Sequence, residues 1–132
     1  MSLEISIQIE PSIAKRFILS GELDSVTAPQ LQETIFTEIT PDIQMVIIDM
    51  GNLYFLSSAG VQVIFKLKKL MKKQQGRLHM VNLQPQITKV FEIIKALDDI
   101  DMEVFRNQKE MDEYLANMQD NFRTKKMAVN FT

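Results

Sequence analysis

Cysteine is absent from the chain, which excludes disulfides and thiolate metal sites. Histidine is nearly absent too: His79 stands alone, and no carboxylates have the spacing of a metal loop, so no metal or other cofactor is expected. No apolar run approaches the roughly 20 residues that span a bilayer, and no N-terminal stretch reads as a signal peptide. A cytoplasmic protein without membrane insertion is the expectation. Charge of one sign is not in excess, and a net charge of -2 exerts no global pull on nucleic acid or anionic lipid. A G-x-x-x-x-G-K-[ST] phosphate loop is also missing, which leaves nucleotide hydrolysis without its usual cradle.

What remains is an ordinary globular composition, 45% hydrophobic and 24% charged over 132 residues. That length suits one domain burying roughly two-thirds of its unfolded surface. The nine methionines either fill gaps in the core or provide an adaptable contact surface. Residues 1–118 read as the domain and 119–132 as a C-terminal tail, because periodicity fades beyond Gln119.

Leu3–Ile9 alternates apolar and polar side chains like a half-buried strand, and Ile13–Leu19 reads as its hairpin partner across Glu10-Pro11-Ser12. Thr27-Ala28-Pro29-Gln30 has the form of a capping box, opening a helix over 28–39 with Leu31, Ile35 and Ile39 as its stripe. Met45–Met50 reads as a strand buried on both faces, with Gly51-Asn52 as a break and Leu53–Phe55 as a lead-in. A helix follows from Ser58 to Gln74, its apolar face Gly60, Ile64, Leu67 and Met71 and its remainder rich in lysine. Gly76 is expected to terminate it. Leu78–Leu83 reads as another buried strand, and Pro85 opens a helix striped by Ile87, Val90, Ile94 and Leu97. Met102–Phe105 suggests a short edge strand, and Asn107–Glu110 a second capping box before Met111, Leu115 and Met118. Alternating strands and helices after a hairpin imply an α/β fold with a mixed sheet of four to five strands and about four helices.

Ser57 and Ser58 occupy the point where apolar strand gives way to amphipathic helix. Backbone N–H groups and the helix dipole tolerate a phosphate best at such a place. Read for structure alone, the same pair is an N-cap.

The element order and two motifs together resemble the STAS domain family, and within it the stand-alone bacterial anti-sigma-factor antagonists. The motifs are Gly21-Glu22-Leu23-Asp24 and the run from Asp49 through Ser57-Ser58-Ala59-Gly60-Val61, and the likeness covers residues 3–118. It implies that Ser58 is phosphorylated by a partner that is both anti-sigma factor and serine kinase, of histidine-kinase-like ATPase fold. A phosphatase reverses the modification. The partner-binding surface it implies comprises Asp24, Ser57, Ser58, Ala59, Gly60 and Val61. The family's usual Asp-Ser-(Ser/Thr)-Gly is here Ser57-Ser58-Ala59-Gly60. An adjacent negative charge is lost and Ser57 becomes a second acceptor. ATP would belong to the kinase, so this chain needs none of its own.

Other readings use the same residues. Ser58-Ala59-Gly60 supplies half of a G-x-S-x-G nucleophile elbow, but Leu56 occupies the first glycine position and His79 lies inside an expected strand. A non-enzyme is therefore expected. Asp24 reads equally as a turn-capping carboxylate, and Asp49 as a hydrogen-bonding group at a strand end. The lysines of the 58–74 helix read as a solvated face rather than a nucleic-acid site. The second functional reading is a STAS adaptor subunit, in a lipid-transport ATPase or a stress-signalling assembly, that needs no phosphorylation. A monomer or weak dimer fits either.

Overall fold

The computed structural model of the protein describes residues 2–9, 13–98, 113, 115–117 and 119–120. They form β1 (Leu3–Ile9), β2 (Ala14–Leu23), α1 (Ala28–Glu38), β3 (Met45–Leu56), α2 (Ser58–Lys73), β4 (Arg77–Val81) and α3 (Pro85–Asp98). Residues 113, 115–117 and 119–120 are also helical. The expected strand at Met102–Phe105, the capping box at Asn107–Glu110, Met111, Met118 and the side chain of Leu97 lie outside the described residues.

The strands run in the order β1-β2-β3-β4. β1 meets β2 antiparallel, with Leu3 opposite Gly21 and Ile9 opposite Lys15. β2–β3 and β3–β4 are parallel, so the sheet is mixed, as the element order implies. Parallel neighbours need helical crossovers, and α1 and α2 supply them. Phe17, Leu19 and Leu23 of β2 join Val46, Ile48 and Met50 of β3 in the core, against Leu31 and Ile35 of α1 and Ile64, Leu67 and Met71 of α2. The opposite parity, Arg16, Ile18 and Ser20 with Ile47 and Asp49, is half-buried. Gly21 has φ +113 and lies against Ser2, a backbone state that glycine adopts without steric penalty.

β3 differs most from expectation. Gly51-Asn52 does not end it; one strand continues to Leu56. Two irregularities absorb the mismatch. Ile18 faces Asp49 but Ser20 faces Asn52, so β3 carries one extra residue between those pairs, and Gly21–Glu22 faces Leu53–Phe55 across another. Each bulge flips the pleat, so burial passes from Val46, Ile48 and Met50 to Leu53 and then Leu56. β4 is shorter than expected and mostly exposed rather than buried.

Helix ends show two further corrections. The Thr27 side chain makes no cap bond to α1; its Oγ1 accepts from Asp24 N–H at 2.9 Å and donates to the Glu22 carbonyl at 2.8 Å. Asp24 Oδ1 takes the N–H groups of Val26 and Thr27 instead. At the end of α2, Gln75 rather than Gly76 adopts the left-handed conformation, at φ 59. Gln75 N–H donates to Lys72 and Gly76 N–H to Met71, the double closure of a Schellman turn.

Candidate functional site: the start of the second helix

Ser57 is the N-cap of α2, extended at φ -97 and ψ 171. Its Oγ accepts from Gly60 N–H at 3.4 Å, and its carbonyl accepts from Val61 N–H at 3.1 Å. Its own N–H donates to the Leu23 carbonyl at 2.9 Å. That bond fastens the helix start to the end of β2, beside Asp24. Ser58 is therefore the first residue of the helix, where anionic groups are best tolerated.

Packing seals this junction. Ser58 is 1% exposed, and Ser57 and Asp24 are also buried. Gly60 lets α2 approach the sheet: a Cβ there would lie 2.7 Å from Leu23 Cγ and 2.8 Å from Leu56 Cδ1. Val61 is core. Of the residues the sequence nominates for partner contact, Ala59 is the half-exposed one, while Asp24, Ser57, Ser58, Gly60 and Val61 are all buried. The exposed surface beside them comes from residues the sequence reading did not single out. Val26, in the loop behind Asp24, is 74% exposed and Phe36 of α1 is 45% exposed. A groove of about 440 Å³ runs between α1 and α2 from Ser25 and Ala59 to Phe36 and Lys66. An apolar residue placed in a capped turn, as Val26 is, was the available signal.

Two acidic oxygens are also notable. Among the described residues, Glu22 Oε2 and Asp24 Oδ2 are buried and lack a hydrogen-bond partner. Asp49 behaves differently: Oδ1 accepts from Gly51 N–H at 3.0 Å and Asn82 Nδ2 at 3.2 Å, and Oδ2 pairs with Arg16 at 2.9 Å. Partial burial pushes its carboxyl up, but the bonds from Gly51 and Asn82 and the Arg16 charge outweigh that and hold it below the ordinary value. Asp49 thus has the hydrogen-bonding role expected of it.

Glutamine side chains complete the site. β4 pairs with β3 only over Met45–Asp49, leaving the far half of that edge to be satisfied otherwise. Gln84 Nε2 donates to the carbonyls of Gly51 and Leu53, each at 3.0 Å, and Gln86 reaches Tyr54 at 3.5 Å. Gln119, placed in the tail by the sequence, is fully buried and takes both backbone groups of Leu56 at 2.8 Å. Gln119 itself is therefore packed against the end of β3. His79 is exposed on β4, and among the described residues no three His, Cys, Asp or Glu side chains group as metal ligands. Among the same residues, no helix is long and apolar enough to cross a membrane.

The mixed sheet and its crossover helices are those of a STAS domain. The STAS domain family model matches residues 4–111, and the chain belongs to that family. It is 33% identical over 75 residues to the putative anti-sigma factor antagonist BtrV of Bordetella bronchiseptica, covering 57% of this chain and 65% of BtrV. It is 30% identical over 86 residues to the anti-sigma-B factor antagonist of Bacillus subtilis, covering 64% of this chain and 76% of that protein. The anti-sigma factor antagonist SpoIIAA in its unphosphorylated form matches with TM-score 0.59 and 22% identity, over 74% of this chain and 97% of SpoIIAA. The Bacillus SpoIIAA structure in the phosphorylated form gives the same score and identity, over 74% of this chain and 100% of that one. An anti-sigma factor antagonist from Mycobacterium paratuberculosis matches with TM-score 0.62 and 24% identity, over 74% of this chain and 81% of its own. The structural likenesses establish the fold.

Proposed function

We propose that this protein is an anti-sigma-factor antagonist: a cytoplasmic binding module, without a reaction of its own, that captures an anti-sigma partner. Unphosphorylated, it holds an anti-sigma factor that is also a serine kinase of histidine-kinase-like ATPase fold; phosphorylated on Ser58, it lets go. A phosphatase resets it. The observation that carries this reading is the position of Ser58 as the first residue of α2, one residue past a cap tied to the loop of Asp24. The names of the relatives, and the existence of SpoIIAA in phosphorylated form, support it.

The physics of such a switch lies in binding. A phosphate adds about −1.5 to −2 charge units, and the helix terminus favours it locally by roughly 0.3–1 kcal/mol. A docked partner must desolvate the dianion or make room for it. A loss of about 4 kcal/mol there weakens affinity roughly a thousandfold. The partner's contacts would come from Val26, Ala59, Phe36 and the groove between α1 and α2, which are the accessible groups around the serines. Ser57 remains the second acceptor.

The test compares binding of the unmodified protein and Ser58→Asp to the kinase isolated from the same cells. Weaker binding of the variant is expected; equal affinities refute the switch. The burial of Ser58 favours a second reading, an adaptor that docks through the same surface without modification. Pull-down from native cells separates the two: a histidine-kinase-like ATPase supports the switch, and a lipid-transport ATPase the adaptor.

A further inference from the structure

Ser58 lies two residues beyond Leu56, and Leu56 is held from both sides. On one side it pairs with Leu23 of β2. On the other, Gln119 Oε1 accepts its N–H and Gln119 Nε2 donates to its carbonyl, while the same Nε2 donates to the Leu115 carbonyl at 3.0 Å. A primary amide carries the donor and acceptor of a peptide group, so Gln119 closes the edge as a neighbouring strand would. Leu115, one helical turn earlier, is buried in the core. The two anchors sit at i and i+4 on one face. Both are fully buried, and the acceptor serine is 1% exposed.

A kinase must bring the serine oxygen in line with a transferring phosphoryl group, which a residue so enclosed does not allow. We propose that the helical segment carrying Leu115 and Gln119 is a strap that shuts the start of α2, and that Ser58 is presented only when Gln119 releases Leu56. The kinase part of this statement rests on the function proposed above; the strap itself does not. Opening breaks the Gln119 pair on the outer edge of β3 and leaves the Leu23 pairing in place, so the sheet survives it. Partial opening strands a buried amide and the Leu56 groups without partners, which makes the closed and open positions discrete.

The absence of cysteine makes the test direct. Ser58→Cys introduces a single thiol, whose reaction with a water-soluble disulfide reagent is followed under native conditions. With Gln119 intact, labelling is expected to be at least a hundredfold slower than in the denatured chain. Adding Gln119→Ala or Leu115→Ala should accelerate it at least tenfold, beyond any acceleration predicted from their loss of global stability in urea. Ile35→Val, a core change in α1, should accelerate it no more than its own stability loss predicts. Equal rates with and without Gln119, or rates tracking global stability in every variant, overturn the strap.

Amide exchange in the chain with its native serine gives a second measurement. Leu56 N–H, bonded to Gln119, should exchange at least tenfold faster in Gln119→Ala, while Ser57 N–H, bonded to Leu23, should not; parallel changes at both refute local opening. The thiol reagent is not a kinase. Failure of the Ser58→Asp binding test would therefore remove the switch and leave the labelling result standing, and the converse also holds.

Discussion

Gly60 offers the sharpest energetic test of how the site is built. In an exposed helix interior, replacing glycine with alanine stabilises by about 1 kcal/mol. Gly60 lies in the first turn of α2 and faces the sheet, so the sign is expected to reverse. Its Cβ would fall 2.7 Å from Leu23 Cγ, 2.8 Å from Leu56 Cδ1 and 3.0 Å from Leu23 Cδ2. Both leucines are fully buried. Leu23 precedes Asp24 and Leu56 precedes Ser57, so any relief displaces one of the two loops of the site. Overpacking of this kind costs about 1–3 kcal/mol, and three simultaneous contacts place Gly60→Ala in the upper half. Set against the propensity gain, a net loss of about 1–2 kcal/mol follows. For a domain of this size, that lowers Tm by roughly 3–10 °C. Urea unfolding monitored by circular dichroism measures it, with an unchanged m-value as the check that only stability moved. Gly60→Val should be worse. Unchanged or raised stability in Gly60→Ala would show that α2 has room to move and would refute the close-approach argument.

Ser57→Ala should cost about 0.5–1 kcal/mol, the lower part of the N-cap range because the bond to Gly60 is long, and Ser57→Asp should recover it; urea midpoints decide. Gly21→Ala combines a positive φ with collision against the Ser2 carbonyl oxygen, so a loss of about 2 kcal/mol or more is expected, with earlier exchange of the Glu22 amide bonded to Ser2. The Asp49 carboxyl is depressed in the fold. Its contribution is therefore complete above the unfolded value of about 3.9 and is lost as pH falls through the lower folded value. Asp49→Asn should flatten the acid limb of a stability–pH curve, and an unchanged limb would contradict the assignment. Ser58→Asp should speed Leu56 amide exchange, because a carboxylate cannot rest where the serine is enclosed; unaltered protection would count against the enclosure.

Local periodicity made most of this fold readable. The strands of the hairpin, the stripe of α2 and the cap at Ser57 all follow from patterns within a few residues, and the parallel order follows from alternation of strand and helix. What the sequence obscured depends on partners far away in the chain. Gly51-Asn52 looks like a break because an isolated glycine and asparagine disfavour strand. Within the sheet, pairing with β2 continues through two bulges that no local pattern announces. Thr27 has the spelling of a capping box, yet Asp24 and Glu22 claim its hydroxyl. Gln84, Gln86 and Gln119 read as surface residues until it is known that β3 runs on beyond its pairing with β4. The serine pair was located correctly at the helix start, but its burial was not legible, since no local pattern marks what packs over a helix terminus.

Enclosure changes what phosphorylation can mean here. A dianion cannot replace a hydroxyl in a space already filled, one residue past a cap bonded to the β2 terminus, where among the described residues Glu22 and Asp24 each hold a buried oxygen without a donor. Burial of an isolated charge costs several kcal/mol even after relaxation, against roughly 0.3–1 kcal/mol from the helix terminus. A phosphate on Ser58 must therefore face water, and the closed strap and the phosphate exclude one another. By linkage, whatever factor phosphorylation applies to strap opening, strap closure applies to the equilibrium of the modified state. A partner that gripped only the closed form would be released by phosphate without touching it. A partner that gripped the open form would feel the charge directly. The two cases differ in how Gln119→Ala acts on the unmodified protein: it weakens binding in the first and strengthens it in the second. Titrating the isolated kinase with that variant tells which surface the partner reads, and equal affinity for variant and parent excludes any use of the strap in recognition.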